Sequence, residues 1–159
     1  MIEIRTAQDS DIPALARFMA QMEAELGKAA PIDQVERDLR QRPAGVEFLV
    51  ATSDQAALAG LASFSMLYPS SGSGLSQLLY LKELYVAPPF RRQGIARRLM
   101  GRLAVIARER GCPRLGWNTP RDNTAAQALY DGLGADRAEW LLTYRLGGDA
   151  LEALAASAD

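Results

Sequence analysis

The chain has no histidine and a single cysteine, and both shortages exclude familiar kinds of site. Without histidine, neither a Ser-His-Asp nor a Cys-His catalytic centre can form, and no metal can be bound through imidazole. A lone thiol, Cys112, cannot make an intrachain disulfide or a thiolate zinc cluster. With no imidazole to activate it, this cysteine is typical of a bystander thiol rather than a nucleophile. We therefore expect no metal, and chemistry that depends on carboxylates, hydroxyls, amides and a borrowed cofactor.

Large excess charge and long apolar runs are also missing. Eighteen basic and 19 acidic residues give a formal net charge of −1, so neither nucleic acid nor a membrane surface is an expected partner. No apolar run approaches the roughly 20 residues that span a bilayer. The opening Met1–Arg5 lacks the basic-then-apolar order of a secretory signal, which predicts a cytoplasmic location.

Length and composition favour one globular domain. The 159 residues, 48% of them apolar, suit a single core. We predict one domain over residues 1–147 and a tail over 148–159 that forms a weak helix.

Hydrophobic spacing predicts alternating strands and helices. Apolar residues at helical spacing indicate helices near residues 12–26, 32–39, 95–110, 125–133 and 150–156. Alternating or continuous apolar runs indicate strands near residues 2–4, 46–52, 57–68, 75–86, 114–119 and 140–146. A flexible loop is expected at Pro69–Gly74. The fold class is therefore α/β, with a mixed, mostly antiparallel sheet and helices on both faces.

The most informative segment runs from Leu84 to Ala96. A strand stops at two prolines, a basic turn follows, and a helix begins at once with Gly94 in its first turn. Such a turn gathers unpaired N–H groups at the positive end of a helix dipole, which is a binding site for phosphate. Arg91 and Arg92 can add charge-assisted hydrogen bonds.

Two familiar nucleotide-binding motifs are absent from this segment. A P-loop is excluded because no Gly-Lys-Ser/Thr follows, and the dinucleotide fingerprint needs more glycines than are present. Solvated arginines beside an ordinary strand–helix turn fit the spacing as well as a phosphate site does, so the spacing alone does not decide between the two.

Further residues favour the phosphate-binding interpretation. The run Arg91-Arg92-Gln93-Gly94-Ile95-Ala96 resembles the pyrophosphate motif of the GNAT superfamily of acetyl-CoA-dependent N-acetyltransferases. Leu81–Val86 is similar to that family's fourth strand, and Trp117–Ala135 is similar to its second cofactor motif. The opening Ile4–Leu15 also resembles the family's first strand and helix. The resemblance covers nearly the whole chain in the right order, and its one departure is Ala96, where glycine is commoner.

The resemblance implies a cofactor, acetyl-CoA, and a role for each matching residue. The backbone of Leu84, Tyr85 and Val86 would pair with the pantetheine arm. Asn123 would hydrogen-bond the pantetheine, and Tyr130 would face the thioester sulfur. The backbone amides that would hold the pyrophosphate belong to Arg91, Arg92, Gln93, Gly94, Ile95 and Ala96.

Transfer of acetyl to an amine requires the same parts. The N–H of Val86 would stabilise the oxyanion. Tyr130, with an ordinary tyrosine pKa of about 10, would donate a proton or a hydrogen bond to the departing thiolate. Glu83, beside the pairing strand, is the candidate base, although a glutamate needs burial or a water relay to work efficiently at neutral pH.

Each assignment has a structural alternative. Tyr130 also suits a core position beside Leu129 and Leu133. Asn123 also suits a helix cap, and Glu83 suits an ion pair with an arginine.

The predicted function is acetyl transfer from acetyl-CoA to a primary amine of a small molecule or a protein. A non-catalytic acyl-CoA sensor and a transferase of another acyl group are the alternatives. The acceptor stays open because the first two helices and the Pro69–Gly74 loop carry no signature. A homodimer is an expectation from the resemblance alone.

Overall fold

The computed structural model describes residues 1–54, 57–67 and 77–157. The chain divides into two compact units, Met1–Asn123 and Thr124–Asp159. The first unit holds the sheet and three helices, and the second holds two shorter helices. A single domain over residues 1–147 stays a prediction.

The first unit is built on a five-stranded sheet whose spatial order follows the chain. The first four strands pair antiparallel and the last pairs parallel with the fourth, which makes the sheet mixed. The strands are β1 (Ile2–Thr6), β2 (Glu47–Ser53), β3 (Leu58–Leu67), β4 (Leu78–Val86) and β5 (Arg114–Gly116). The predicted strand ends at Tyr68 and Leu75, and the Pro69–Gly74 loop, lie outside the described residues.

The helices agree with the predicted apolar periodicity. They are α1 (Ile12–Glu25), α2 (Ile32–Arg40), α3 (Ile95–Glu109), α4 (Thr124–Asp131) and α5 (Asp149–Ala156). The α3 stripe shows the cause most clearly, because Ile95, Leu99, Leu103 and Ile106 are all at most 5% exposed. Burying such a side chain contributes about 1.5–3 kcal/mol, so the stripe fixes which face of α3 meets the sheet.

Helices cover both faces of the sheet, as predicted. On one face Leu15 and Phe18 of α1 join Val50 and Leu61 of β2 and β3 in a buried cluster. On the other face α3 packs closely over Gly60. A Cβ there would lie 3.3 Å from Ile95, 3.4 Å from Leu99 and 3.0 Å from the Tyr85 carbonyl oxygen. Glycine at this position therefore permits the close approach of α3 to the sheet.

The predicted final strand at residues 140–146 is wrong. The second unit has no strand among its described residues, and the three aromatic or apolar side chains at Trp140, Leu142 and Tyr144 are 82%, 77% and 86% exposed. Alternation predicts which side chains share a face, but a strand also needs a neighbour that accepts its backbone hydrogen bonds. Within the described part of the chain, residues 142–147 have no such neighbour.

An ion pair ties β1 to the start of α1. Arg5 donates to both oxygens of Asp11 at 2.7 and 2.8 Å, and Asp11 also accepts from the Gln8 backbone N–H at 2.7 Å. The hydrogen bonds from Arg5, above all, hold the pKa of Asp11 below its usual value. The ionised carboxylate is thus the form that the fold stabilises.

We expect Asp11→Asn to lower the free energy of unfolding at pH 7 by about 1 kcal/mol, since the pair is partly exposed. For a chain of this size that is about 2–4 °C in Tm. Because the folded pKa of Asp11 is depressed, its contribution is present above the ordinary aspartate value and is lost as pH falls through the folded value. Thermal melts from pH 7 to pH 3 should show the difference shrinking with acid. Asp38→Asn, on the exposed side of α2, is the control, and a difference independent of pH would contradict the assignment.

None of the described helices combines the length and the apolar character needed to cross a bilayer.

Candidate active site

One edge of β4 is open where the sequence analysis placed the cofactor. The parallel strand β5 pairs only with Leu78–Tyr80. From Leu81 to Val86, β4 therefore has a strand on its β3 side only, within the described part of the chain. An extended group can add to such an edge through main-chain hydrogen bonds.

The backbone groups that face this edge belong to Leu84 and Val86. The Ala87 N–H donates to the Ala59 carbonyl at 3.0 Å, and the Tyr85 carbonyl lies toward Gly60, so both residues direct their backbone to β3. Because peptide groups alternate along a strand, Leu84 and Val86 direct theirs the other way. The backbone of Tyr85 is directed to β3, and its expected pairing with the pantetheine stays a prediction.

The turn after β4 has an unusual backbone. A short 3-10 turn at Pro88–Phe90 is followed by left-handed conformations at Arg92, with φ 63°, and at Gly94, with φ 75°. A non-glycine residue in this region costs on the order of 1–2 kcal/mol. Such strain clusters at ligand-binding sites.

This backbone leaves N–H donors at the start of α3. The helix begins at Ile95, and its bond nearest the N-terminus runs from the Arg98 N–H to the Gly94 carbonyl at 3.0 Å. The amides of Gly94, Ile95 and Ala96 precede that bond, so the helix itself does not satisfy them. A Cβ built on Gly94 meets nothing within 4 Å. Open space beside main-chain donors at a positive helix end fits the diphosphate of CoA.

The Arg91 side chain is directed elsewhere. Its Nε donates to the Val86 carbonyl at 2.8 Å and its Nη2 donates to Glu25 Oε2 at 2.6 Å. The guanidinium also lies 5.6 Å from the centre of the Tyr85 ring. Gln93 likewise turns back, and its Nε2 donates to the Pro89 carbonyl at 3.2 Å. In this arrangement the main chain of the turn, rather than these two side chains, supplies the donors.

Tyr85 links the strand to the end of α1. Its hydroxyl donates to Glu25 Oε1 at 2.6 Å, and its ring meets Phe18 edge-on at 5.2 Å between centroids. Burial, and then the bond to Glu25, raise the pKa of Tyr85 to about 12. The hydrogen bonds from Tyr85 and Arg91 lower the pKa of Glu25. At neutral pH this site therefore holds a protonated phenol, a carboxylate and a guanidinium.

Glu83 has a partner that sequence reasoning did not find. Ser63 on β3 is 2% exposed, and its hydroxyl donates to Glu83 Oε2 at 2.9 Å. The two residues are cross-strand partners beside an irregularity in register. Among the described residues, no ion pair joins Glu83 to an arginine, which was the alternative role. Ser63 thus orients the candidate base.

Two predicted residues lie at the junction of the units or in the second unit. Asn123 directly precedes α4, and its N–H donates to the Pro120 carbonyl at 3.1 Å. Tyr130 is half-buried on α4, and burial raises its pKa above the ordinary tyrosine value. Both assignments stay predictions.

Two further residues of this region, Ser63 and Glu25, were not singled out by sequence. No local signal marks Ser63 because its contact depends on strand register. Glu25 is one of several acidic residues in the first two helices. Only the folded structure shows that it contacts Tyr85 and Arg91. Across the described residues no group of three or more His, Cys, Asp or Glu side chains is arranged to hold a metal.

The chain belongs to the acetyltransferase (GNAT) family, whose model matches residues 14–135. Thialysine N-epsilon-acetyltransferase of Caenorhabditis elegans is 35% identical over 59% of this chain and 61% of its own length. The match thus spans about three fifths of that relative.

Solved structures agree on the fold. An integron cassette protein from the mobile metagenome of V. cholerae superposes with a TM-score of 0.83 at 28% identity, covering 97% of both chains. An aminoglycoside N-acetyltransferase in complex with CoA superposes with a TM-score of 0.77 at 22% identity, covering 91% of this chain and 94% of that one. The latter likeness concerns the fold alone.

Proposed function

We propose that this protein transfers acetyl from acetyl-CoA to a primary amine of a small polar molecule. The observation that supports this most directly is the set of main-chain amides at Gly94–Ala96 that α3 does not satisfy, in a chain of the GNAT family whose β4 has an open edge within the described residues.

Different residues of the first unit would bind different parts of acetyl-CoA. The Arg91 N–H, also expected to bind the diphosphate, donates to the Pro88 carbonyl at 3.2 Å. The main chain from Arg92 to Ala96 would therefore hold the diphosphate at the positive end of α3. Leu84 and Val86 would pair with the pantetheine through the open edge. The cosubstrate supplies the thioester that an amine attacks.

Three groups would serve the transfer itself. The Val86 N–H, directed to the open edge, would stabilise negative charge on the acetyl oxygen. Glu83, oriented by Ser63, would accept the proton of the attacking amine, directly or through water. Tyr130 would donate to the departing thiolate, and its raised pKa keeps that hydroxyl protonated at neutral pH.

The acceptor is proposed from the name of the Caenorhabditis elegans relative. Thialysine is an amine with more than one amino group. We propose an acceptor of the same general kind for this chain.

Release of free CoA thiol tests the proposal and separates it from its alternatives. Purified protein is mixed with acetyl-CoA and a panel of amines, and the thiol is followed with a chromogenic disulfide. A transferase releases the CoA thiol only when acetyl-CoA and an acceptor amine are both present. A protein that binds CoA but releases no thiol with any amine is a sensor, and faster release from succinyl-CoA would indicate another acyl donor.

We expect Tyr130→Phe to lower kcat about 10- to 100-fold with little change in CoA affinity, because the variant keeps the ring and loses only the donor. Thiol release measures kcat, and calorimetry measures CoA binding. Tyr144→Phe, an exposed tyrosine of the same unit, is the matched control. If Tyr130→Phe keeps the wild-type rate, Tyr130 is not the acid.

The cytoplasmic location and the homodimer stay predictions. Sedimentation equilibrium distinguishes a dimer from a 17.3 kDa monomer.

A further inference from the structure

We infer that the Glu25 carboxylate, with the Tyr85 hydroxyl beside it, binds a second cationic group of the acceptor, and that CoA opens this site by drawing Arg91 away. The inference rests on the proposed function and names the substrate class, which is an amine that carries a further positive charge.

The Glu25 carboxylate is accessible to a ligand, but Arg91 compensates its negative charge. One oxygen accepts from the Tyr85 hydroxyl and the other from Arg91, each at 2.6 Å. An ionised carboxylate has about four acceptor positions, so both oxygens keep room for another donor. The Glu25 side chain is 33% exposed, and that of Arg91 is 47% exposed. An ammonium ion can therefore reach Glu25, but it gains little while the guanidinium compensates the negative charge.

A diphosphate at the turn competes with Glu25 for the same guanidinium. Arg91 opens the basic turn, and its Nε already contacts the Val86 carbonyl at the end of β4. Phosphate oxygens form strong, often bidentate bonds with arginine, and a diphosphate carries more charge than one carboxylate. When Arg91 turns to the diphosphate, Glu25 keeps its bond from Tyr85 and loses its compensating charge.

The released carboxylate lies on the same face of the sheet as the candidate base. Glu83 and Tyr85 are two residues apart on β4, so their side chains share a face and their Cα atoms lie roughly 7 Å apart. Their cross-strand partners Ser63 and Leu61 are likewise two apart, and Leu61 belongs to the cluster under α1. An amine at Glu83 and a second cation at Glu25 would thus be bound on the same face of the sheet.

Calorimetry with CoA alone tests the exchange of Arg91. If Glu25 holds Arg91 back, Glu25→Gln releases it and CoA binds about fivefold more tightly or better. Glu23→Gln removes a carboxylate from the same helix, one that pairs with Lys28 instead, and should leave the affinity within about twofold. Equal or weaker CoA binding by Glu25→Gln would overturn the inference.

Binding of two matched amines tests the cation site. In CoA-saturated wild-type protein, 1,5-diaminopentane should bind about tenfold more tightly than pentylamine, which lacks the second charge. Without CoA, or in Glu25→Gln, that preference should largely vanish. A preference that persists in Glu25→Gln refutes the site, and one that persists without CoA refutes its opening by CoA. Both titrations measure binding, whereas thiol release measures transfer. The cation site can therefore be refuted while the proposed function holds, and the proposed function can fail while the cation site holds.

Discussion

Gly94→Leu is expected to weaken CoA binding by at least about 100-fold, because the new side chain occupies the space in which the diphosphate approaches the main chain. Gly94 has φ 75°, and a Cβ there points into open space. The first atom of the leucine side chain therefore meets no protein atom beyond its chain neighbours, and we expect the side chain to block the ligand rather than the fold. It also restricts the close approach of phosphate oxygens to the amides of Ile95 and Ala96.

Backbone strain is a competing cause of such a loss, and the far end of the same helix supplies its control. Gly111 follows α3, has φ 71°, and likewise has nothing within 4 Å of a built Cβ. Gly111→Leu should thus lose similar stability, about 1–2 kcal/mol, and keep its CoA affinity. Calorimetry on both variants, with thermal melts to compare stability, separates the two effects. Equal loss of affinity in both variants, or none in Gly94→Leu, contradicts the phosphate role of the turn.

Glu83→Gln should lower kcat about 100- to 1,000-fold while CoA binds normally, since the amide keeps the shape and cannot accept the proton of the amine. The Ser63 hydroxyl holds the carboxylate at 2.9 Å, so the glutamine should occupy nearly the same position. Glu3→Gln, an exposed strand carboxylate on β1, is the control for charge alone.

Steady-state thiol release with varied acetyl-CoA and varied amine measures this effect. A loss in kcat without a rise in the KM for acetyl-CoA supports a role for Glu83 in the transfer step. A rate within about threefold of wild type would remove Glu83 from the mechanism and leave proton transfer to water or another group.

The spacing of apolar residues predicted much of the fold because it indicates which side chains are buried. The α3 stripe and the apolar β4 both need a partner surface, and the core of the first unit supplies one. The segment at 140–146 has an equally regular alternation, yet it forms no strand in the described chain. Periodicity reports which side chains share a face and not whether a neighbouring strand is there to pair with.

The candidate site was predictable only where its groups are close in sequence. The turn at Arg91–Ala96 is contiguous, so its donors followed from local chemistry. Glu25 and Arg91 are 66 positions apart, and their bond depends on how α1 crosses the sheet. The contact of Ser63 with Glu83 depends on the pairing register of β3 and β4, which no composition encodes.

The central claim is that main-chain donors at the start of α3 hold the diphosphate of CoA, and amide NMR tests it most directly. In a CoA titration of ¹⁵N-labelled protein, we predict that the largest saturable shifts fall on the amides of Gln93, Gly94, Ile95 and Ala96. Saturable binding that leaves those amides unmoved while others shift, or no binding at all, would contradict the account.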